Sequence, residues 1–228
     1  METAPNPLMP KKRFRAGGLT YYYRLGKLQV CNSKRPSLKA KKKDEDGNII
    51  PTRTPKQQKN STKFQGARKL FATYRRKTHN LPNWKIAADK LGKTADNLLH
   101  HTNYKYLGPD GGILDIEEFK VSIGGLALPF NMKATREGKR ITLTWTDDRN
   151  DTEAAPTDKL MVIILHGEQK RRYNFTVFDE TGSTRGDGHA VINLPKGSGG
   201  DICVHPFFAR EDLSAFSDDK HFMLPEEN

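Results

Sequence analysis

The sequence predicts an α+β protein. An N-terminal β-hairpin and a helical hairpin precede an all-β sandwich of the immunoglobulin or fibronectin-III kind. Three observations carry this expectation. Residues 138–224 break into short apolar runs (KRITLTWTD, DKLMVIILH, RRYNFTVFDE, GHAVINLP, DICVHPFFAR, DKHFML), each bounded by polar, Gly or Pro residues, the spacing of a small antiparallel sandwich. Residues 60–101 carry apolar residues at helical rather than strand spacing. Charge divides the chain: residues 1–106 hold 25 Lys and Arg against 6 Asp and Glu, a net +19, and residues 107–228 hold 14 against 21, a net −7.

From the N-terminus, residues 1–17 read as a flexible basic arm, rich in Pro and carrying Lys11, Lys12, Arg13 and Arg15. Residues 18–107 form the basic region. Within it GLTYYYRLGKLQVCN predicts a hairpin turning near Gly26, because aromatic and β-branched residues favour strands. A lone hairpin is marginal in water and has to dock on something. Residues 33–59 are too polar to bury and too long for an ordinary connection, which points to a loop or extended arm, either with a binding role or disordered.

Phe64, Ala67, Leu70, Phe71 and Tyr74 predict an amphipathic helix over 60–77, capped by Asn60 or Ser61. Trp84, Ala87, Ala88, Leu91, Ala95, Leu98 and Leu99 predict a second helix over 82–101. Gly108-Pro109-Asp110-Gly111-Gly112 is a break, and residues 113–228 then form the sandwich of about seven strands. Its first strands are expected in ILDIEEFKVSIGGLALP, with Ile116, Phe119, Val121 and Ile123 inward. Trp145 is expected as a core filler between the sheets.

LTWTDD, TDKLMVIIL, TGSTRGDGHAVINLP and GGDICVHPFF are similar to the C-terminal part of an uncharacterised bacterial family of unknown function. Upstream, PTRTPKQQKNSTKF resembles that family's arginine–threonine motif and glutamine-rich helix start, and LDIEEFKVSIGGL resembles its aspartate-led strand. GGLTYYYRLGKLQVCNSKRP is a looser match to its opening hairpin. The likeness is most specific from Leu143 to Pro195, and the Lys-rich stretch near 39–48 departs from the pattern. The resemblance implies a fold and no activity.

Sites of chemistry are sparse. Cys31 and Cys203 lie in different regions with no disulfide or zinc spacing. His100 and His101 are adjacent, so on a helix they diverge by about 100° and cannot share one ion. Cys203 and His205 sit two apart on one predicted strand and could face the same side, yet a small buried core residue explains Cys203 as well. Gly197–Gly200 lacks a following helix and a lysine, and Arg185-Gly186-Asp187 falls where turn residues belong. No catalytic residue, metal or cofactor is expected.

The basic region is the remaining signal. Lys34, Arg35, Lys41, Lys42, Lys43, Arg53, Lys69, Arg75 and Arg76 are the expected polyanion contacts, with Tyr21, Tyr22 and Tyr23 as stacking residues. The expectation is a non-enzymatic binding protein whose basic half meets nucleic acid or an acidic protein surface. The alternatives are a subunit of a phage-like or mobile-element assembly, and an enzyme whose strand histidines converge in space. The N-terminus has no apolar run resembling a signal peptide and no stretch of membrane-spanning length. A cytoplasmic or particle-associated protein is expected.

Overall fold

The computed structural model describes residues 13–16, 19–24, 27–32, 45–46, 54–147, 153–167, 175–178, 181–196 and 198–226. Contacts divide the chain into two units, 1–58 and 59–228. The first holds three antiparallel strands, β1 (Arg13–Ala16), β2 (Leu19–Arg24) and β3 (Lys27–Asn32), in the order β1-β2-β3. The expected hairpin is β2–β3, and β1, which the sequence places in the basic arm, adds a third strand. Tyr21 pairs with Val30 and Tyr22 with Gln29. Strand alternation therefore sets Leu19, Tyr21, Leu28 and Val30 on one face and Thr20, Tyr22, Gln29 and Cys31 on the other. Leu19, Leu28 and Val30 are exposed.

The second unit contains most of helix α1 (Pro55–Lys77), α2 (Asn83–Lys90) and α3 (Ala95–Thr102), then strands β4 (Phe130–Glu137), β5 (Arg140–Thr146), β6 (Lys159–His166), β7 (Phe175–Phe178), β8 (His189–Asn193), β9 (Ile202–Ala209) and β10 (Phe222–Leu224). β4 was not among the runs expected from the sequence, because FNMKATRE is mostly polar. The strands form two antiparallel sheets, β10-β9-β6-β7 and β4-β5-β8.

β6 and β9 pair along their whole lengths, from Lys159 with Ala209 to His166 with Ile202. Both are buried nearly throughout. The reason is that the four-stranded sheet is covered on both faces. Leu160, Val162 and Ile164 of β6, with Val204 and Phe208 of β9, share a core with Ile141, Leu143 and Trp145 of β5. The alternate residues Met161, Ile163 and Leu165, with Cys203 and Phe207, share a core with Leu70 and Tyr74 of α1, Trp84 of α2 and Leu99 of α3. Helices, sheet and sheet thus form three layers over two cores. Trp145 is the expected filler: it meets Phe208 edge-to-face at 5.5 Å and donates its indole N–H to the Arg185 carbonyl at 2.7 Å.

Two element expectations need correcting. The second helix is interrupted. Residues 91–94 form a turn with Gly92 at φ +62°, a left-handed value glycine takes without strain, so 82–101 becomes α2 and α3. Leu91, expected on the buried face, is exposed because the chain has left the helix by then. The expected strands over 113–129 are irregular backbone, and their peptide groups are satisfied by side chains instead of a ladder. Asn103 bonds both the N–H and the carbonyl of Lys120. Asp219 Oδ1 accepts the N–H groups of Val121 and Ser122. The Val121 carbonyl accepts Tyr74 Oη, Asn83 Nδ2 and Trp84 Nε1. Phe119 and Val121 are nevertheless buried, and Ile116 and Ile123 half-buried.

Candidate polyanion-binding face

Helix α1 begins earlier than its apolar stripe. Thr54 and Gln57 form a reciprocal cap, with Thr54 Oγ1 accepting the Gln57 N–H and Gln57 Oε1 accepting the Thr54 N–H. Pro55 occupies the first helical position, where its missing N–H costs nothing. These residues, not Asn60 or Ser61, start the helix. Its buried face is Gly66, Ala67, Leu70 and Tyr74. Gly66 is fixed by contact: a Cβ there would stand 2.1 Å from the Asp110 carbonyl oxygen, so the GPDGG turn presses directly on the helix backbone. Arg75, Arg76 and Lys77 occupy the last turn, where cations complement the carbonyl end of the helix dipole. Asn80, at φ +63°, ends it and accepts from Arg75 at 3.1 Å.

No acidic residue occurs anywhere in α1. Arg68, Lys69, Arg75 and Arg76 are all exposed. Arg68 pairs with Asp96 at 3.3 Å, whereas Lys69 and Arg76 have no acidic partner among the described residues. Other cations of the helix are engaged. Lys63 lies 4.0 Å over the Tyr104 ring. Lys77 donates to the Phe175 carbonyl and sits 4.3 Å over that ring, and burial, then the nearby Arg76, pulls its pKa down.

Of the expected contact residues, Lys69 and Arg76 therefore point to one outer direction, and Arg75, exposed and bonded to Asn80, flanks them. Lys34, Arg35, Lys41, Lys42, Lys43 and Arg53 lie outside the described residues. Tyr21 and Tyr22 are half-buried on opposite faces of β2, and the side chain of Tyr23 lies outside the described residues.

A buried ion pair and a buried histidine–carboxylate contact were not visible in the sequence. Arg185 and Asp158 meet at 3.2 Å with side chains 2% and 0% exposed. Arg185 also donates to the Ala127 carbonyl and lies 4.8 Å over the Phe208 ring. The Arg-Gly-Asp tripeptide is a single 3₁₀ turn with its arginine inside, as a structural reading requires. His205 Nδ1 meets Asp219 Oδ2 at 2.8 Å, and Nε2 meets the Ile116 carbonyl at 2.9 Å. Both ring nitrogens face acceptors, so neither is turned to Cys203 as a base. Burial pushes the Cys203 thiol up to about 12, which keeps it protonated at neutral pH. Among the described residues, no group of three His, Cys, Asp or Glu could hold a metal ion. A pocket of about 250 Å³ lies beside α2, walled by Ile86, Ala87, Leu91, Ile123 and Phe216. Asp218 in its lining already accepts the Gly124 N–H. No helix among the described residues is long and apolar enough to cross a membrane.

Residues 109–220 match the model of a family of unknown function, DUF6266. The DUF6266 match spans both sheets as far as β9 and the irregular 113–129 segment. It leaves α1, α2 and α3 outside, so the basic face lies beyond the matched residues. A family of unknown function is what the sandwich residues led us to expect. No curated protein matches the chain. Among solved structures, the chain is similar to the crystal structure of the Clostridium perfringens spore cortex lytic enzyme SleM, at 16% identity and a TM-score of 0.27, covering 50% of this chain and 32% of that one. A likeness of that size carries no argument about fold or activity.

Proposed function

We propose that this protein is a non-enzymatic binding module in which the outer face of α1 contacts a polyanion. The observation that carries the reading is the pairing of two faces on one helix. The inner face is fixed in the core it shares with the four-stranded sheet, and the outer face presents Lys69 and Arg76, which have no acidic partner among the described residues. Rigid backbone with mobile cationic side chains suits phosphate or sulfate neutralisation.

The β-rich half is the scaffold, and we read it as immunoglobulin-like. Its support is strand order. Named A, B, C, C′, E, F and G in chain order, β4 to β10 give A-B-E facing G-F-C-C′, the arrangement of that fold with its fourth strand moved from one sheet to the other. The tryptophan sits on the second strand rather than the third.

The test is binding of the full chain to heparin as a generic polyanion at increasing salt. The reading expects binding at low salt and log K falling linearly with log salt. No binding at low salt would overturn it.

One observation favours a second reading, a subunit of a larger assembly: Leu19, Leu28 and Val30 share an exposed face of the N-terminal sheet. Concentration-dependent association that Leu28→Asp with Val30→Asp abolishes is then expected in sedimentation. A monomer at high concentration would exclude it.

A further inference from the structure

Resting on that polyanion reading, we infer that the ligand of the α1 face is double-stranded DNA, held by its phosphate backbone. Two features of the face select among polyanions, its spacing and its composition.

Arg68 and Lys69 recur as Arg75 and Arg76, seven residues later. Seven residues advance an α-helix by about 10.5 Å and rotate it to within about 20° of its starting direction. The outer face therefore presents Lys69 and Arg76 one above the other on a helical baseline, while Arg75 flanks them and Arg68 is held by Asp96. That distance is comparable to the ~12 Å width of the B-DNA major groove. Lys69 stands opposite one lip of the groove and Arg76 opposite the other, and long side chains close the remaining gap. Between these two cations lies Ala72, exposed and small enough for the helix backbone to approach the duplex. Gln65, also exposed on this side, supplies a neutral donor of the kind that bonds phosphate oxygens.

The composition argues against the other polyanions. Single strands are held by stacking bases on exposed aromatic side chains. The aromatics of α1 point the other way: Phe64 and Phe71 are half-buried and Tyr74 is fully buried, with its hydroxyl bonded to Val121. An anionic membrane surface calls for large apolar side chains beside the cations, so that the helix can seat itself in the headgroup layer. No large apolar residue of α1 is exposed. The face carries charge and hydrogen-bonding groups with nothing to stack and nothing to insert, which suits a regular array of phosphates. It reads no sequence by itself, since its direct contacts are to backbone.

The experiment uses the full chain and four probes: a short mixed-sequence DNA duplex, one of its strands alone, heparin, and vesicles of phosphatidylserine with phosphatidylcholine. Binding is followed by anisotropy or co-sedimentation between ~50 and ~200 mM salt. The duplex is expected to bind at least tenfold tighter than the single strand, with vesicles weakest. Lys69→Gln with Arg76→Gln is expected to lower the salt slope for the duplex by about 2, and Lys133→Gln with Lys139→Gln, an equal charge loss on exposed sheet residues, to leave it unchanged. Thermal unfolding verifies that both variants remain folded. Equal or tighter binding of the single strand, heparin or vesicles overturns the duplex assignment and leaves the polyanion reading standing. An equal slope change in the sheet variant overturns the assignment to α1. Failure of every probe to bind at low salt overturns both.

Discussion

The protein handles charge in two opposite ways. Between the sheets and under the helices, buried polar and charged side chains have fixed partners: Arg185 has Asp158, Asp219 has His205, and Arg136 has the carbonyls of Gly138 and Gly200. On the outer face of α1, Lys69 and Arg76 are offered to solvent with no acidic partner among the described residues. The buried pairs fix geometry. Asp219 alone ties β9 to the irregular 121–122 backbone by accepting three hydrogen bonds. The exposed cations contribute almost nothing to the fold, since surface charges have little net effect on stability. The difference teaches where to look for function in a basic protein: among the charges the fold does not use.

The comparison breaks most visibly at its buried end. Asp158→Ala leaves the Arg185 guanidinium inside without its counter-ion and should cost about 3–5 kcal/mol by denaturant unfolding. A loss below ~1 kcal/mol would mean that the pair is not buried in solution. Gly66→Ala forces a methyl group against the Asp110 carbonyl and should cost about 1–3 kcal/mol, because both partners are backbone. An unchanged midpoint would show that the GPDGG turn does not press on α1.

A pH experiment sharpens the same contrast. His166 is 6% exposed and bonded to Thr176 Oγ1, and burial, with Lys77 and Arg136 nearby, lowers its pKa below the ordinary 6.5. A folded value lower than the unfolded one means the unfolded chain takes up the proton first. Stability from this group is therefore complete above pH ~6.5 and declines as pH falls below it, by at most about 1.4 kcal/mol per unit. His166→Gln should flatten that decline, and an identical pH profile in the variant would contradict the assignment. His100 is shifted in the same direction, chiefly by burial and then by Lys63, so some decline remains in the variant.

Much of this was legible in the sequence, for definable reasons. The buried stripe of α1 and the strands around Trp145 declare themselves by periodicity. The start of α1 did not, because PKQQ has no apolar residue and its signal is a cap, Thr54 to Gln57. The third layer had a signal that alternation obscures. DKLMVIILH is apolar without interruption, which marks a strand covered on both faces rather than the half-covered strand of a two-layer sandwich. The helices supply that second cover. Residues 113–129 look like strands because their apolar residues alternate, yet their hydrogen-bond partners are side chains as distant in sequence as Asp219. The buried Arg185–Asp158 and His205–Asp219 contacts were illegible for a similar reason, since Asp158, Arg185 and Asp219 all sit where turn residues are ordinary. Of the candidate site, helical phase alone was enough to bring Lys69 and Arg76 to one face, with Arg75 on its flank.

The smallest effect on stability should accompany the largest effect on binding, and one variant measures both. Lys69→Glu with Arg76→Glu is compared with the unaltered chain for heparin affinity at low salt and for unfolding free energy. The account predicts at least tenfold weaker binding and a stability change within about 0.5 kcal/mol. Undiminished affinity in a folded variant would contradict it.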